Sequence, residues 1–454
     1  MSNLKTYTTK SNYLKTTSFY PRNYDPVYLF VKDSLKNYFE LKDYLIEEVK
    51  GGSTPPYFLF FNEYENEVIP FVKTSAISRD FININDLHYI HSEFHKKKIK
   101  RSITKPYDVV YSMTGKFMGK AALCPNTINE LNISQNSVVL KTKSPLHSAF
   151  LTIFLNSEIN RKQIFGLYSI TKQKYLNQGK IAKLRILDFK RSYKKDLLDY
   201  LVGIKIYYES ISNIKMYISE FNKIFKLPAD TFYKKTSFMT KPDVLDYKIL
   251  TAQYYRNDVN VSYFRNESEK QLIKLDIKKG AEIGSKNYLF EGIPFIKTSN
   301  FLNFGVDYQP NYYCSDAIYN EVQQDLYTGD LIFTKDANIG EVSILEESAK
   351  IVISSGIVRV RPQNDDQRYF LFLLLSSAYG KIYFNKWTVI ASTMAHLRKD
   401  FYKDFRFINF DKKYIDNLIT KTKKAFNDKK EAYLKIELSK KSILSKLYSI
   451  IDIN

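Results

Sequence analysis

Cysteine, long apolar runs and acidic charge are all scarce in this sequence, and each scarcity closes off a class of protein. Two cysteines, Cys124 and Cys314, are too few for a disulfide framework or a thiolate metal site. The longest apolar run, Tyr369 to Leu375, is far shorter than the roughly 20 residues that cross a bilayer. The opening Met1-Ser2-Asn3-Leu4-Lys5 has no signal-peptide core. No phosphate-cradling Gly-Lys-Ser/Thr loop occurs, which argues against an ATP-driven motor. The expectation is a soluble protein of the bacterial cytoplasm, associated with the nucleoid and not with a membrane.

What the chain does have is positive charge and core-forming residues. Lys and Arg number 69 against 48 Asp and Glu, a formal net charge of +21 with a pI near 9.4. That balance suggests a polyanionic partner, with nucleic acid favoured, although a Lys-, Asn-, Ile- and Tyr-rich composition also follows from an AT-rich genome. The 44% hydrophobic and 15% aromatic content argues against disorder. At 454 residues, two domains or more are expected.

The chain is written twice. Ile69-Pro70-Phe71-Val72-Lys73-Thr74-Ser75 recurs as Ile293-Pro294-Phe295-Ile296-Lys297-Thr298-Ser299, 224 positions later. Tyr107-Asp108-Val109-Val110-Tyr111-Ser112 matches Gly329-Asp330-Leu331-Ile332-Phe333-Thr334 at an offset of 222. Ile133 to Lys141 matches Ile353 to Arg361, and Phe150 to Ser157 matches Phe370 to Ser377, both at 220. Four blocks in one order with slowly drifting offsets mark a tandem duplication. Val138 to Lys141 and Ile357 to Arg361 read as strands. Phe150–Asn156 and Phe370–Ser376, free of Gly and Pro, read as buried helices.

Between and after the copies the pattern turns helical. Leu197, Leu201, Ile204, Tyr208, Ile211, Ile214, Ile218, Phe221 and Phe225 form a stripe that Pro228 stops. A second stripe runs through Ile415, Leu418, Thr422, Ala425, Ala432, Ile436, Ser439 and Ile443, interrupted by Lys429. These are coiled-coil-like spacings, and stretches of about 30 to 40 residues span roughly 45 to 60 Å, the length of a spacer. The expected fold is α+β: two strand-rich, mixed α/β domains separated by long antiparallel helices. The boundaries would be residues 1–190, a spacer at 191–228, residues 229–411, and a second spacer at 412–454.

That layout resembles the specificity subunits of Type I restriction–modification enzymes, with two target-recognition domains. Gly329-Asp330-Leu331-Ile332-Phe333-Thr334-Lys335 followed by Ile339-Gly340-Glu341-Val342 is similar to a characteristic block of that family. Ile353 to Pro362 resembles the strand that follows it, and Ser392 to Leu397 the late block leading into a spacer. Gly51-Gly52-Ser53-Thr54-Pro55 ahead of Ile69 to Thr74 resembles the usual domain opening. The sequence departs from the family by lacking a Pro-rich segment at Arg185–Phe189 and Arg406–Phe410. The first copy also has Tyr107 where the second has Gly329, and Gln173 to Leu176 in place of Met394 to Leu397.

Three patterns that mimic catalytic sites are set aside. Thr54-Pro55-Pro56-Tyr57 lacks the leading Asp or Asn of amino-methylating enzymes. His88, His91 and His95 would need a helix to share a face, and Lys96-Lys97-Lys98 would repel a cation. They read instead as surface or phosphate-contacting histidines. Pro242-Asp243 with Asp246 and Lys248 is too tightly spaced for a nuclease metal site.

The resemblance implies a non-catalytic reader of double-stranded DNA with a bipartite, asymmetric target and an unread gap of roughly 13 to 18 base pairs, centre to centre, from about 3.4 Å per pair. The chain itself would bind no cofactor or metal. Two methyltransferase subunits using S-adenosylmethionine would flip out and methylate adenine, and a motor–nuclease subunit would use ATP and Mg. Tyr207, Tyr217 and Tyr433 would offer helix surface for docking. The DNA-contact candidates are Lys73, Thr74, Ser75, Ser112, Thr114 and Lys116 in the first copy. In the second they are Lys297, Thr298, Ser299, Thr334, Lys335, Asn338, Thr393 and His396. Two other classes remain open: a recognition module of another phage-defence assembly, and a self-contained DNA methyltransferase.

Overall fold

The computed structural model describes residues 35, 38–56, 60–61, 67–115, 118–167, 169–170, 174–224, 270–271, 275–347, 350–390, 395–398, 401, 406–407 and 412–451. The chain divides into two units, residues 1–209 with 429–454, and residues 210–428. Both long spacers are helices, Lys194–Ile224 and Lys412–Ile451, of 31 and 40 residues. The unit boundaries cut through these helices, so each unit owns one segment of each. Phe225, Pro228 and the Asp243–Lys248 cluster lie outside the described residues.

In the first unit a four-stranded sheet runs in the order Lys50–Gly51, Ser137–Leu140, Val109–Ser112, Ala121–Leu123, with antiparallel neighbours. A second sheet orders Phe60–Phe61, His88–His91, Val68–Val72 and Asn132–Ile133, the last pair parallel. The second unit repeats the plan. Asp276–Lys279, Ile357–Arg361, Leu331–Thr334 and Val342–Ile344 form one sheet, and Ile293–Ile296 pairs in parallel with Val352–Ile353. The strands at 109–112 and 331–334 are buried throughout, as continuous apolar runs demand when both faces are covered.

The repeated residues are the ones this frame requires. The helices Pro145–Asn156 and Asp365–Ser376 are almost wholly buried over their repeated stretches. Ser157 and Ser377 end them and cap the next helix, accepting from the backbone N–H of Asn160 and Gly380. The aspartate of the Tyr/Gly-Asp block holds its turn in both copies: Asp108 accepts from the Lys105 N–H at 2.8 Å and Asp330 from the Tyr327 N–H at 2.9 Å. The preceding residue sits in the left-handed region each time, Tyr107 at φ 67° and Gly329 at φ 90°. Glycine adopts that conformation freely and tyrosine does not, so the copies are alike in backbone where they differ in sequence. Arg361 pairs with Asp330 at 2.9 Å in the second copy. In the first copy, burial raises the Asp108 carboxyl above its ordinary range.

The long helices run antiparallel within the first unit. Asp196 meets Lys446 at 2.6 Å and Asp199 meets Lys435 at 2.9 Å, and Gly203 faces Ile436 so closely that a Cβ would stand 2.7 Å from its side chain. Lys429, which interrupts the apolar stripe, is 1% exposed and lies 5.9 Å from the Tyr207 ring centroid. Tyr207 itself is buried against Phe81 at 4.3 Å, so it is core packing and not a docking surface. Tyr433 is half-buried and stacks on Phe81. In the second unit Ile214 and Phe221 share a core with Ile415, Leu418, Ala425 and Phe426, and the half-buried Tyr217 packs against it.

A buried charge cluster joins the first unit's sheet region to the helices. The Lys440 ammonium lies 2.7 Å from Asp80 and 2.6 Å from Glu437. Asp80 also accepts from the Tyr200 hydroxyl at 2.9 Å and the Asn156 amide at 3.2 Å. In the second unit Phe304 occupies the position of Asp80 in the duplication and packs edge-on against Phe372, which meets Phe426.

Candidate nucleic-acid interface

In both copies the strand, Val68–Val72 or Ile293–Ile296, ends just before the lysine of Lys-Thr-Ser, and a 3-10 turn, Thr74–Ala76 or Thr298–Asn300, follows it. Exposure matches residue by residue: lysine and threonine half-buried, serine exposed. Each lysine is held over aromatic rings, Lys73 at 4.9 Å from the Phe60 centroid, and Lys297 at 4.9 Å from Tyr288 and 5.3 Å from Tyr312. Such contacts hold the ammonium in place. Beside Lys73, burial and the lysine charge push His88 below its usual range. Burial raises Asp86 despite a hydrogen bond from Ser75.

A second loop is held by the same hydrogen bonds in each copy. The Lys335 N–H donates to the Gly356 carbonyl at 2.8 Å, and the Leu397 N–H to the Lys335 carbonyl at 2.8 Å. In the first copy Met113 donates to Asn136 at 2.9 Å and Leu176 to Met113 at 3.0 Å. Thr114 bridges to Tyr175 as Asp336 does to His396. The second copy thereby gathers Thr298, Lys335, Asp336, Gly356 and His396. A Cβ on Gly356 would come within 3.1 Å of Thr298 and 3.2 Å of Asp336. Asp336 pairs with Lys335 and with His396, each at 2.8 Å. Burial alone would raise its carboxyl, and these two hydrogen bonds outweigh burial and hold it below the ordinary range.

The sequence candidates separate into three groups. Lys73, Thr74, Ser75, Thr114, Lys297, Thr298, Ser299, Lys335, Asn338 and His396 lie on these loops, with Ser75, Ser299, Asn338 and His396 exposed. Ser112 and Thr334 correct the expectation of loop residues, because both are strand ends with 0% exposure. Their hydroxyls accept from the Lys120 and Glu341 N–H groups at 3.2 and 3.0 Å and close the hairpin at Gly119 and Gly340. Lys116 and Thr393 lie outside the described residues.

One of the three histidines also corrects the reading of them as surface or phosphate-contacting residues. His88 and His91 belong to a strand, and His95 stands on the short helix Ser92–Lys97. His95 is fully buried, 3.1 Å from the Asn132 amide, so it is a packed core residue. Among the described residues no group of His, Cys, Asp and Glu has the makings of a metal site. Both cysteines are buried and free. Sequence reasoning missed Asp336, Gly356, Tyr288 and Tyr312. Asp336 had a local signal, its place beside Lys335 in the repeated block, while the tyrosines had none.

Residues 268–408 match the family model of the Type I restriction modification DNA specificity domain. Among solved structures, the S subunit of a Type I restriction–modification system from M. genitalium is similar at 14% identity, with a TM-score of 0.29, over 92% of this chain and 94% of that one. The HsdS subunit from Thermoanaerobacter tengcongensis shows 14% identity and a TM-score of 0.28, over 92% and 95%. A chain from a type I R-M system described for its complex assembly and conformational transition shows 16% identity and a TM-score of 0.28, over 92% and 96%. No curated protein sequence matches.

The match falls within the second copy, which is thus similar to the Type I restriction modification DNA specificity domain. The first copy repeats the hydrogen bonds that hold the second loop of this region, Met113 to Asn136 and Leu176 to Met113.

Proposed function

We propose that each copy reads one element of a bipartite, asymmetric DNA target through its two loops. The carrying observation is one backbone frame presenting different side chains. Met113, Thr114 and Tyr175 stand in the first copy where Lys335, Asp336 and His396 stand in the second. Identical frames with unlike faces read unlike sequences. Lys73 and Lys297 would neutralise phosphates beside each reading face. Thr74, Ser75 and Thr114, with Thr298, Ser299, Lys335, Asn338 and His396, would supply polar contacts to the bases, joined by Lys116 and Thr393.

The long helices would set the unread gap between the elements, and two adenine methyltransferase subunits with a motor–nuclease subunit would act on the site. S-adenosylmethionine, ATP and Mg would belong to those partners. Long-read mapping of adenine methylation, in a host expressing this chain with its neighbouring methyltransferase gene, tests the reading. A split, asymmetric motif that vanishes on deletion of this chain is the expected result. Methylation that persists without the chain refutes it and points to a different assembly.

A further inference from the structure

The turn at Leu289–Gly292 carries a side chain that the frame leaves standing in water. Phe290 is 91% exposed, the highest value among the described large hydrophobics, and Leu289 beside it is 42% exposed. The turn is clamped at both ends. Leu289 and Tyr313 exchange backbone hydrogen bonds at 2.8 and 3.0 Å, and Ile293 pairs with Cys314. Gly292 has φ 123°, and a Cβ there would come 2.7 Å from the Cys314 carbonyl oxygen, so the return of the chain admits only glycine. Phe290 is thus projected by a fixed support.

The support leads straight to the proposed reading face. Tyr288, two residues before Phe290, accepts from the Lys297 ammonium at 3.3 Å and packs against Tyr312 at 4.8 Å. Lys286, exposed at the start of the same loop, adds a second cation. Glu291, also exposed, is the turn's one carboxylate, and a carboxylate at a base edge accepts from a cytosine amino group. The turn lies within the residues that match the DNA specificity domain.

We infer that Phe290 is a wedge that enters a base-pair step of the second target element, partly unstacking it while Lys286 and Lys297 hold the flanking phosphates. An apolar ring between base pairs recovers the burial it lacks in the free protein, and the step it opens is selected by its ease of unstacking. This rests on the reading of the chain as a bipartite DNA reader, and it adds specificity drawn from deformability to hydrogen-bond readout. The first copy's counterpart of the turn falls outside the described residues, so the wedge is assigned to the second element alone.

The test uses the full chain with its methyltransferase partner and duplexes bearing the mapped motif, with 2-aminopurine placed in turn at each step of the second element and its flanks. Apart from the adenines that the methyltransferase flips out, the intact protein should brighten the probe at one step. Phe290→Ala should abolish that signal and weaken binding about tenfold or more, as loss of a buried ring implies, while Phe290→Trp should keep both. Unchanged affinity and signal in Phe290→Ala, or tight binding by the intact protein with no such step brightened, overturns the wedge and leaves the DNA-reading assignment standing. Failure of the intact complex to bind the mapped duplex overturns both.

Discussion

Replacing Lys440 by methionine should destabilise the first unit far more than an ordinary lysine substitution does. The change keeps the length and apolar stem of the side chain and removes the charge. Lys440 and Asp80 are 7% and 1% exposed, so the carboxylate left behind has no route to water. Tyr200 and Asn156 still donate to it, but two neutral donors do not replace an ammonium at 2.7 Å. Burial by itself would pull the Lys440 ammonium toward neutrality, yet Asp80 and Glu437 outweigh it and hold its pKa above the usual lysine range. The ammonium is therefore charged at neutral pH, and breaking its pairing with Asp80 from one side should cost about 3–5 kcal/mol. The pair between half-buried Asp196 and exposed Lys446 in the same unit sets the contrast, at about 1 kcal/mol or less. Hydrogen exchange under increasing urea, read on peptides covering 109–112 against those covering 331–334, separates the two units. Combining Lys440→Met with Asp80→Asn should recover part of the loss, giving a coupling of about 2 kcal/mol or more in a double-mutant cycle. A cost below about 1 kcal/mol for Lys440→Met, or equal losses in both units, would refute the reasoning.

Other outcomes follow from the same geometry. Thr334→Val should cost about 1–3 kcal/mol in chemical denaturation, because the Glu341 N–H loses its acceptor in a buried hairpin, whereas Thr334→Ser should be close to neutral. Lys297→Ala should weaken DNA binding by a similar factor on all sequences and lower the slope of log affinity against log salt by about one; loss confined to one motif would instead make Lys297 a base reader. Burial pushes His88, His95 and His147 below their ordinary values, so the unfolded chain takes up protons that the folded first unit refuses. Stability of that unit should be full above about pH 6.5 and fall as pH drops below it, and His95→Gln should flatten the fall in thermal melts; the raised carboxyls of Asp86 and Asp108 act with the opposite sign in a more acid range. Removing one turn from both long helices should shorten the unread gap in the methylation motif and leave its two elements unchanged, and altered elements would contradict the spacer role.

The duplication was legible in the amino-acid sequence because a shared frame demands the same residues at the same spacing. Gly119 and Gly340 need positive φ, the aspartates hold a turn, and the Ile-Pro-Phe strands face a core. The long helices were legible for the same reason, through their apolar period, although Lys429 reads there as an interruption and is in fact buried. Three misreadings share a physical cause: side-chain chemistry was weighed without knowing burial. Ser112 and Thr334 look like ligand-seeking hydroxyls and instead close their own hairpins. His95 looks like a surface residue and is packed beneath Asn132. Tyr207 looks like a docking aromatic and is buried against Phe81. The Asp80–Lys440 pair left no local trace at all, because its members are 360 positions apart and the corresponding place in the other copy is filled by phenylalanine. The reading loops are legible only in outline, since the frame constrains their ends and leaves their faces free.

The division of the chain into units has a bearing on its biogenesis. The second unit is one uninterrupted stretch, residues 210–428, whereas the first is closed by residues 429–454 at the other end of the chain. On the ribosome the domain made first is thus the one completed last. At about 5–20 residues per second, roughly 20 to 70 seconds separate emergence of Asp80, and roughly 10 to 50 seconds that of Tyr200, from the arrival of Lys440. During that interval the first unit holds a carboxylate awaiting its cation and an apolar helix stripe awaiting cover. A chain that stops short of Lys429 would have the whole of its second unit and lack the segment that closes its first.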